Sequence, residues 1–267
     1  MNDHEQIVTK NVERIGRDRE FLALTRQWLE RAIRHQYALN FTWLGRPVIQ
    51  LPQDIYAIQE LIWRVKPDLV IETGIAHGGS LVLSASMLAL LDYCDASATK
   101  RSLTPQDTKR RVVGIDIEIR PHNREAIERH PLAHLIETIE GSSIDAGVVQ
   151  RVRNIASDYD RVLVFLDSNH THEHVFAELE SYAPLVSPGS YCVVWDTGVE
   201  DLPEGFVTDR PWGKGNNPKT AVFDYLKKLQ AGSVKASDGA RLDLEIDKTI
   251  EHRIAITASP DGFLRRR

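Results

Sequence analysis

The chain has 267 residues, 42% of them hydrophobic and 27% charged, with a net charge of −5. That is enough for one large α/β domain with a sizeable core. The acidic balance argues against nucleic acid as the main partner, and the run Arg265–Arg267 is too short to offset it. No unbroken apolar run is long enough to suggest a membrane span, and the N-terminal stretch mixes Asp, Glu, Lys and Arg without a secretory segment. Cys94 and Cys192 lack metal-like spacing and read as reduced thiols of a cytoplasmic protein.

Residues 1–40 are polar, with helical spacing in Phe21, Leu22, Leu24, Trp28, Leu29, Ala32 and Ile33. They read as a helix outside the main core, which caps a site, packs on another subunit or simply covers a sheet. Residues 41–50 read as a loop or short extended piece. Pro52 and Asp54 open a helix with Ile55, Ile58, Leu61, Ile62 and Val65 on one face.

The rest of the chain is organised around the stretch 68–80. Leu69, Val70 and Ile71 form a strand that ends in the acid Glu72, and glycines at 74, 78 and 79 form a turn into a helix over 79–93. Strand, glycine-bearing loop and helix are the opening unit of an open parallel sheet, and free N–H groups at the helix start suit polar or anionic ligand groups. The spacing Glu-x-Gly-x-x-x-Gly-Gly is neither the dinucleotide nor the phosphate-loop pattern. An acid beside the loop suits a ligand carrying a cationic amine and hydroxyls. S-adenosylmethionine is such a ligand, and the loop resembles the first motif of class I methyltransferases. Residues 95–110 read as a polar surface excursion.

A second strand, 111–116, ends in Asp116, placed to accept bonds from ribose hydroxyls. A helix over 121–130 and a strand over 135–140 lead to Gly141, Ser142 and Ser143, where an adenine edge fits. Ser143 to Asp145 also begin a helix, and capping is the simpler task for that serine. The run 161–167 is the most apolar and reads as a central strand. A helix with Val175, Phe176, Leu179 and Tyr182 follows, then a strand at 191–196. The Gly- and Pro-rich loop 197–218, a helix at 221–229 and strands at 242–246 and 253–257 complete the chain. There are no repeats or linkers. The reading is an N-terminal helical extension (1–50) on an α/β domain (51–267) whose sheet is mostly parallel, with helices on both faces.

Asp167 and Asp196 end two strands expected to be neighbours, and two carboxylates at one sheet edge suit Mg2+. Such an ion holds vicinal hydroxyls and lowers the pKa of one of them. His170 lies within reach as a general base. His172 and His174 read as solvated positions at a helix start.

Glu72-Thr-Gly-Ile-Ala-His-Gly-Gly-Ser80, Leu166-Asp-Ser-Asn-His-Thr-His-Glu-His-Val175, Val193-Val-Trp-Asp-Thr197, Pro211-Trp-Gly-Lys-Gly-Asn-Asn-Pro218 and Asp261-Gly-Phe-Leu-Arg265 together resemble the cephalosporin hydroxylase family, over residues 50–265. Its better understood relatives are S-adenosylmethionine- and magnesium-dependent O-methyltransferases of antibiotics and sugar hydroxyls, related to macrolide-sugar and rhamnosyl enzymes. The resemblance implies a Rossmann-like class I methyltransferase fold and a small-molecule acceptor. It also implies a homo-oligomer, since relatives form dimers or larger assemblies.

Carried over, Glu72, Gly74, Gly78, Ser80, Asp116 and Ser143 are the cofactor-binding candidates, Asp167 and Asp196 the metal ligands, and His170 with Asp167 the catalytic pair. The resemblance places a glutamate ligand where this chain has Trp195, leaving Glu200, Asp201 or water to complete a metal site, unless binding is weak or lost. The leading reading is an O-methyltransferase. A nicotinamide-dependent oxidoreductase and a non-catalytic S-adenosylmethionine-binding protein are the alternatives.

Overall fold

Alternation along the strands assigns each face of the sheet its own core in a computed structural model that describes residues 2–232 and 234–267. On β3 (Leu69–Thr73), Leu69 and Ile71 join one apolar cluster and Val70 the other. The same split runs through β4 (Arg111–Asp116), β6 (Val162–Leu166) and β7 (Tyr191–Val194). Strands buried on both faces need helices on both, which is why they read as continuous apolar runs. One face is covered by α3 (Pro52–Val65) and α4 (Gly79–Thr99), the other by α6 (Ala146–Ala156), α7 (His172–Tyr182) and α8 (Pro218–Gln230).

With β5 (Ile136–Glu140), β8 (Leu244–Ile246) and β9 (Phe263–Arg266), the seven-stranded sheet has the order β5-β4-β3-β6-β7-β9-β8, and β9 alone runs against its neighbours. The chain winds outward from β3 through β4 to β5, and α5 (Pro121–Glu128) spans the crossover from β4 to β5. It then returns to pair β6 with the other side of β3. Strand order reverses there, opening a crevice beyond the carboxyl ends of β3 and β6. The expected Rossmann-like sheet is present.

Several elements differ from the sequence expectations. The N-terminal stretch forms two helices, α1 (Asp3–Arg17) and α2 (Arg19–Arg34), because Asp18 ends one and caps the next by accepting from the Phe21 N–H at 2.9 Å. Residues 41–48 form a hairpin, β1 (Phe41–Trp43) and β2 (Arg46–Val48). Helix α4 continues through Thr99 into the expected excursion. It is long and apolar enough to cross a membrane by composition alone, but most of it is buried in the core.

The strand expected at 253–257 is instead the end of α9 (Lys248–Ile254) and the irregular segment after it; Asp247 starts this helix by accepting from the Thr249 N–H at 3.0 Å. The last strand lies at β9, where Leu264 and Arg266 face inward. The buried Arg266 guanidinium donates to the Val186 carbonyl at 2.7 Å and pairs with Asp238. An inward arginine conceals the apolar alternation that would mark the strand. Cys94 is exposed, Cys192 is buried, and both are free thiols.

Candidate active site

The loop after β3 is held from both sides. Asp116, at the end of β4, accepts from the Ile75 N–H at 2.8 Å through Oδ2 and from the Glu118 N–H at 3.2 Å through Oδ1. Arg46 donates to the His77 carbonyl at 2.6 Å and to Asn123 Oδ1 at 3.0 Å, while Asn123 donates to the Ala76 carbonyl at 3.0 Å. The hairpin and α5 thus fix the carbonyl side of the loop. Gly74, Ser80 and Asp116 line one wall of a cavity of about 250 Å³, and Asp167, His170 and Asp196 line another.

Glu72 lies behind that wall. Its side chain is buried and accepts from the Ser80 hydroxyl, while its Oε2 has no partner. Burial pushes its carboxyl up to about 8, against the lowering effect of Ser80. Gly78 sits at the start of α4 against the Ile127 side chain rather than in the cavity lining.

A side annex bounded by Gly74, Asp116, Ser142, Ser143, Ser168 and His174 continues the first cavity. Ser143 does not cap α6; Asp145 does, accepting from Gly147 N–H at 2.9 Å and Val148 N–H at 3.1 Å. The Ser143 hydroxyl instead meets His174 Nε2 at 3.0 Å, and its carbonyl accepts from the Tyr182 hydroxyl at 2.5 Å. His174 is therefore not a solvated position. Its Nε2 also lies 3.1 Å from the Ser168 hydroxyl, which donates to the fully buried Glu178 at 2.6 Å. His172 meets Thr220 Oγ1 at 2.8 Å.

Beyond β6 and β7, Asp167, His170 and Asp196 offer donor atoms that all lie within 4.8 Å of one another. His170 Nε2 is 3.2 Å from Asp196 Oδ2, and its ring meets Trp212 edge-on, with centroids 4.9 Å apart. Burial first, and then the charge of Asp196, push the Asp167 carboxyl well above the usual carboxylate range. Neither Glu200 nor Asp201 joins this group. Glu200 accepts from the Gly215 N–H at 2.7 Å and from Asn217, and Asp201 pairs with Lys219 at 2.6 Å. Trp195 is a core residue, its ring centroid 6.1 Å from Phe165 and 6.2 Å from Phe263.

A second cavity of about 350 Å³ lies between α2 and the sheet, and Asp167 and Asp196 line it as well. Gln50, Asp54 and Trp212, which sequence reasoning did not single out as site residues, also line it. Asp54 looks in sequence like an ordinary helix-start acid, yet it is 1% exposed, accepts from the Ala258 N–H at 3.0 Å, and is pushed by burial up to about 7. Only an acid in the first turn of a helix with one apolar face hints at this. Trp212 lies within the Pro211–Pro218 motif, the one signal for it.

The Rhamnosyl O-methyltransferase/CmcI family model matches residues 35–267. A rhamnosyl O-methyltransferase of Mycobacterium leprae is 27% identical over 227 residues, covering 85% of this chain and 83% of that one. Its counterpart in Mycobacterium bovis is 26% identical over 228 residues, covering 84% and 78%. Among solved structures, CmcI with Mg and SAM is similar in fold, with a TM-score of 0.53 at 16% identity, covering 86% of this chain and 77% of that chain. The chain belongs to the rhamnosyl O-methyltransferase/CmcI family and is an S-adenosylmethionine-dependent O-methyltransferase.

Proposed function

We propose that the chain methylates a hydroxyl of a sugar or other polyhydroxylated small molecule, with a divalent cation at Asp167 and Asp196 and His170 as general base. The observation that carries this reading is that the two carboxylates line both cavities. The glycine loop and Asp116 border one cavity and α2 borders the other, so two reactants would meet at the acids. Holding two reactants in line is itself a large source of rate.

The donor sets fit their groups. Asp116 and Ser143 would hold the nucleoside of S-adenosylmethionine, and the loop from Gly74 to Ser80 its amino-acid part. Glu72 and Gly78 would shape that loop from behind. Two carboxylates, one held above its usual range by burial and by the other's charge, favour a hard cation. When bound, Mg2+ orients neighbouring oxygens and lowers the pKa of a hydroxyl beside it. His170, kept in place by Asp196 and Trp212, takes the proton from the acceptor hydroxyl as the oxygen attacks the methyl carbon, the methyl–sulfur bond breaks and S-adenosylhomocysteine leaves.

The test is transfer from methyl-labelled S-adenosylmethionine to a panel of vicinal diols, before and after EDTA. Transfer should require Mg2+ and fall about 100-fold or more in His170→Ala, with S-adenosylhomocysteine binding retained. Equal loss of cofactor binding in that variant would assign His170 to the cofactor site instead.

A further inference from the structure

We propose that the cavity under α2 is the acceptor pocket, that its occupant carries a vicinal diol on an apolar ring body, and that Asp54 selects it. This rests on the methyltransferase reading above and narrows its substrate class.

The cavity is lined mainly by apolar side chains, among them Leu29, Ile33, Leu39, Val199 and Leu202, with the Trp212 ring beside them. At about 350 Å³ it is the size of a small ligand pocket. Polar groups are few, and two of them are unusual. Asp54 is 1% and Gln50 8% exposed, and Asp54 Oδ1 and Gln50 Oε1 have no hydrogen-bond partner. Gln50 also lines the cofactor-side cavity, so it stands at the junction with Asp167 and Asp196.

A free monosaccharide carries hydroxyls around its whole rim. Against these walls most would lose water without gaining a partner, and each such loss weakens binding by about tenfold. An apolar ring with its diol at the aspartate end avoids that cost. One further polar group on the ring would meet Asp54, whose Oδ1 is otherwise unpartnered. With one oxygen held by the Ala258 N–H and the other without a partner, Asp54 is thus a specificity-determining residue rather than a flaw in the core.

The experiment is calorimetry on the full chain saturated with S-adenosylhomocysteine and Mg2+, after cofactor binding has been measured by itself. The probes are 2,3-dihydroxynaphthalene, 2,3,6-trihydroxynaphthalene and methyl α-L-rhamnopyranoside. The naphthalenediol should bind at least about tenfold more tightly than the rhamnoside, and the third hydroxyl should tighten it further. In Asp54→Leu that further gain should vanish while the diol keeps its affinity. General damage to the fold would weaken both alike. Asp54→Asn reads the same contrast if the leucine variant does not fold, as a reduced gain. Ala32→Phe, which fills the cavity, should weaken both naphthalene probes and spare the cofactor.

A rhamnoside that binds as well as the diol would overturn the apolar body. A third-hydroxyl gain that survives Asp54→Leu would overturn the role of Asp54. Cofactor binding without probe binding, or indifference to Ala32→Phe, would overturn the pocket. Failure of the cofactor to bind at all would instead be seen at the first step, and would remove the methyltransferase reading and this one with it.

Discussion

Replacing Gly74 by alanine isolates the contact that joins the cofactor loop to the acidic pair. Gly74 has φ +87°, its N–H donates to the Ile115 carbonyl at 2.8 Å, and the neighbouring Asp167 N–H donates to the Thr73 carbonyl at 2.9 Å. A Cβ there would stand 2.0 Å from the Asp167 carbonyl oxygen and 2.6 Å from its carbon. Both atoms are backbone in a central strand end, so neither can turn aside. The left-handed conformation costs a non-glycine residue about 1–2 kcal/mol, and forcing packed backbone apart adds about 1–3 kcal/mol. The sum, about 2–5 kcal/mol, lowers the melting temperature of a chain this size by roughly 4–20 °C.

Gly45 provides the control. Its φ is +86°, in the turn between β1 and β2, and no atom lies within 4 Å of its missing Cβ. Gly45→Ala should therefore cost only the conformational part, about 1–2 kcal/mol. Thermal unfolding of both variants, with titration of S-adenosylhomocysteine, checks the difference. Gly74→Ala should melt lower than Gly45→Ala and lose cofactor affinity. Equal losses in the two variants would refute the argument that Gly74 exists for close approach to Asp167.

Burial raises the Glu72 carboxyl from 4.5 to about 8, so between those values the folded chain holds a proton that the unfolded chain has released. That stabilisation is complete below the unfolded value and is lost as pH rises through the folded one. Urea unfolding of the cofactor-free protein should show stability falling by a few kcal/mol from pH 5 to pH 8, with Asp54 adding to the same trend up to about 7. Glu72→Gln should flatten the profile, and an unchanged slope would exclude Glu72 as its source. Trp195→Ala should cost about 3–5 kcal/mol in the same measurement, because the ring fills space between Phe165 and Phe263. Arg46→Ala removes the bonds to His77 and Asn123 that hold the loop; cofactor affinity measured by calorimetry should drop about tenfold. Unchanged affinity would mean that the loop is held without them.

The centre of the sheet was legible because β3, β4, β6 and β7 are short apolar runs with Glu72, Asp116, Asp167 and Asp196 at or just beyond their ends, a pattern set by burial on both faces and polar groups at the open end. The last strand was not, because its inward position at 266 is an arginine, made tolerable only by the distant Asp238 and Val186 carbonyl. The acids of the site could be ordered along the sequence, but their partners could not. That Glu200 turns to Asn217 and Asp201 to Lys219 depends on how the loop after β7 meets α8. Asp54 was hidden for a similar reason. Its neighbours suggest a helix cap, and only packing against the segment around Ala258 reveals a buried carboxyl.

Calorimetric titration of EDTA-treated protein with S-adenosylhomocysteine, repeated after adding Mg2+, decides whether this chain binds the methyl donor and a cation. Micromolar binding at one site is expected, with a separate Mg2+ heat that Asp167→Asn removes. Absence of S-adenosylhomocysteine binding in both conditions would contradict a methyltransferase.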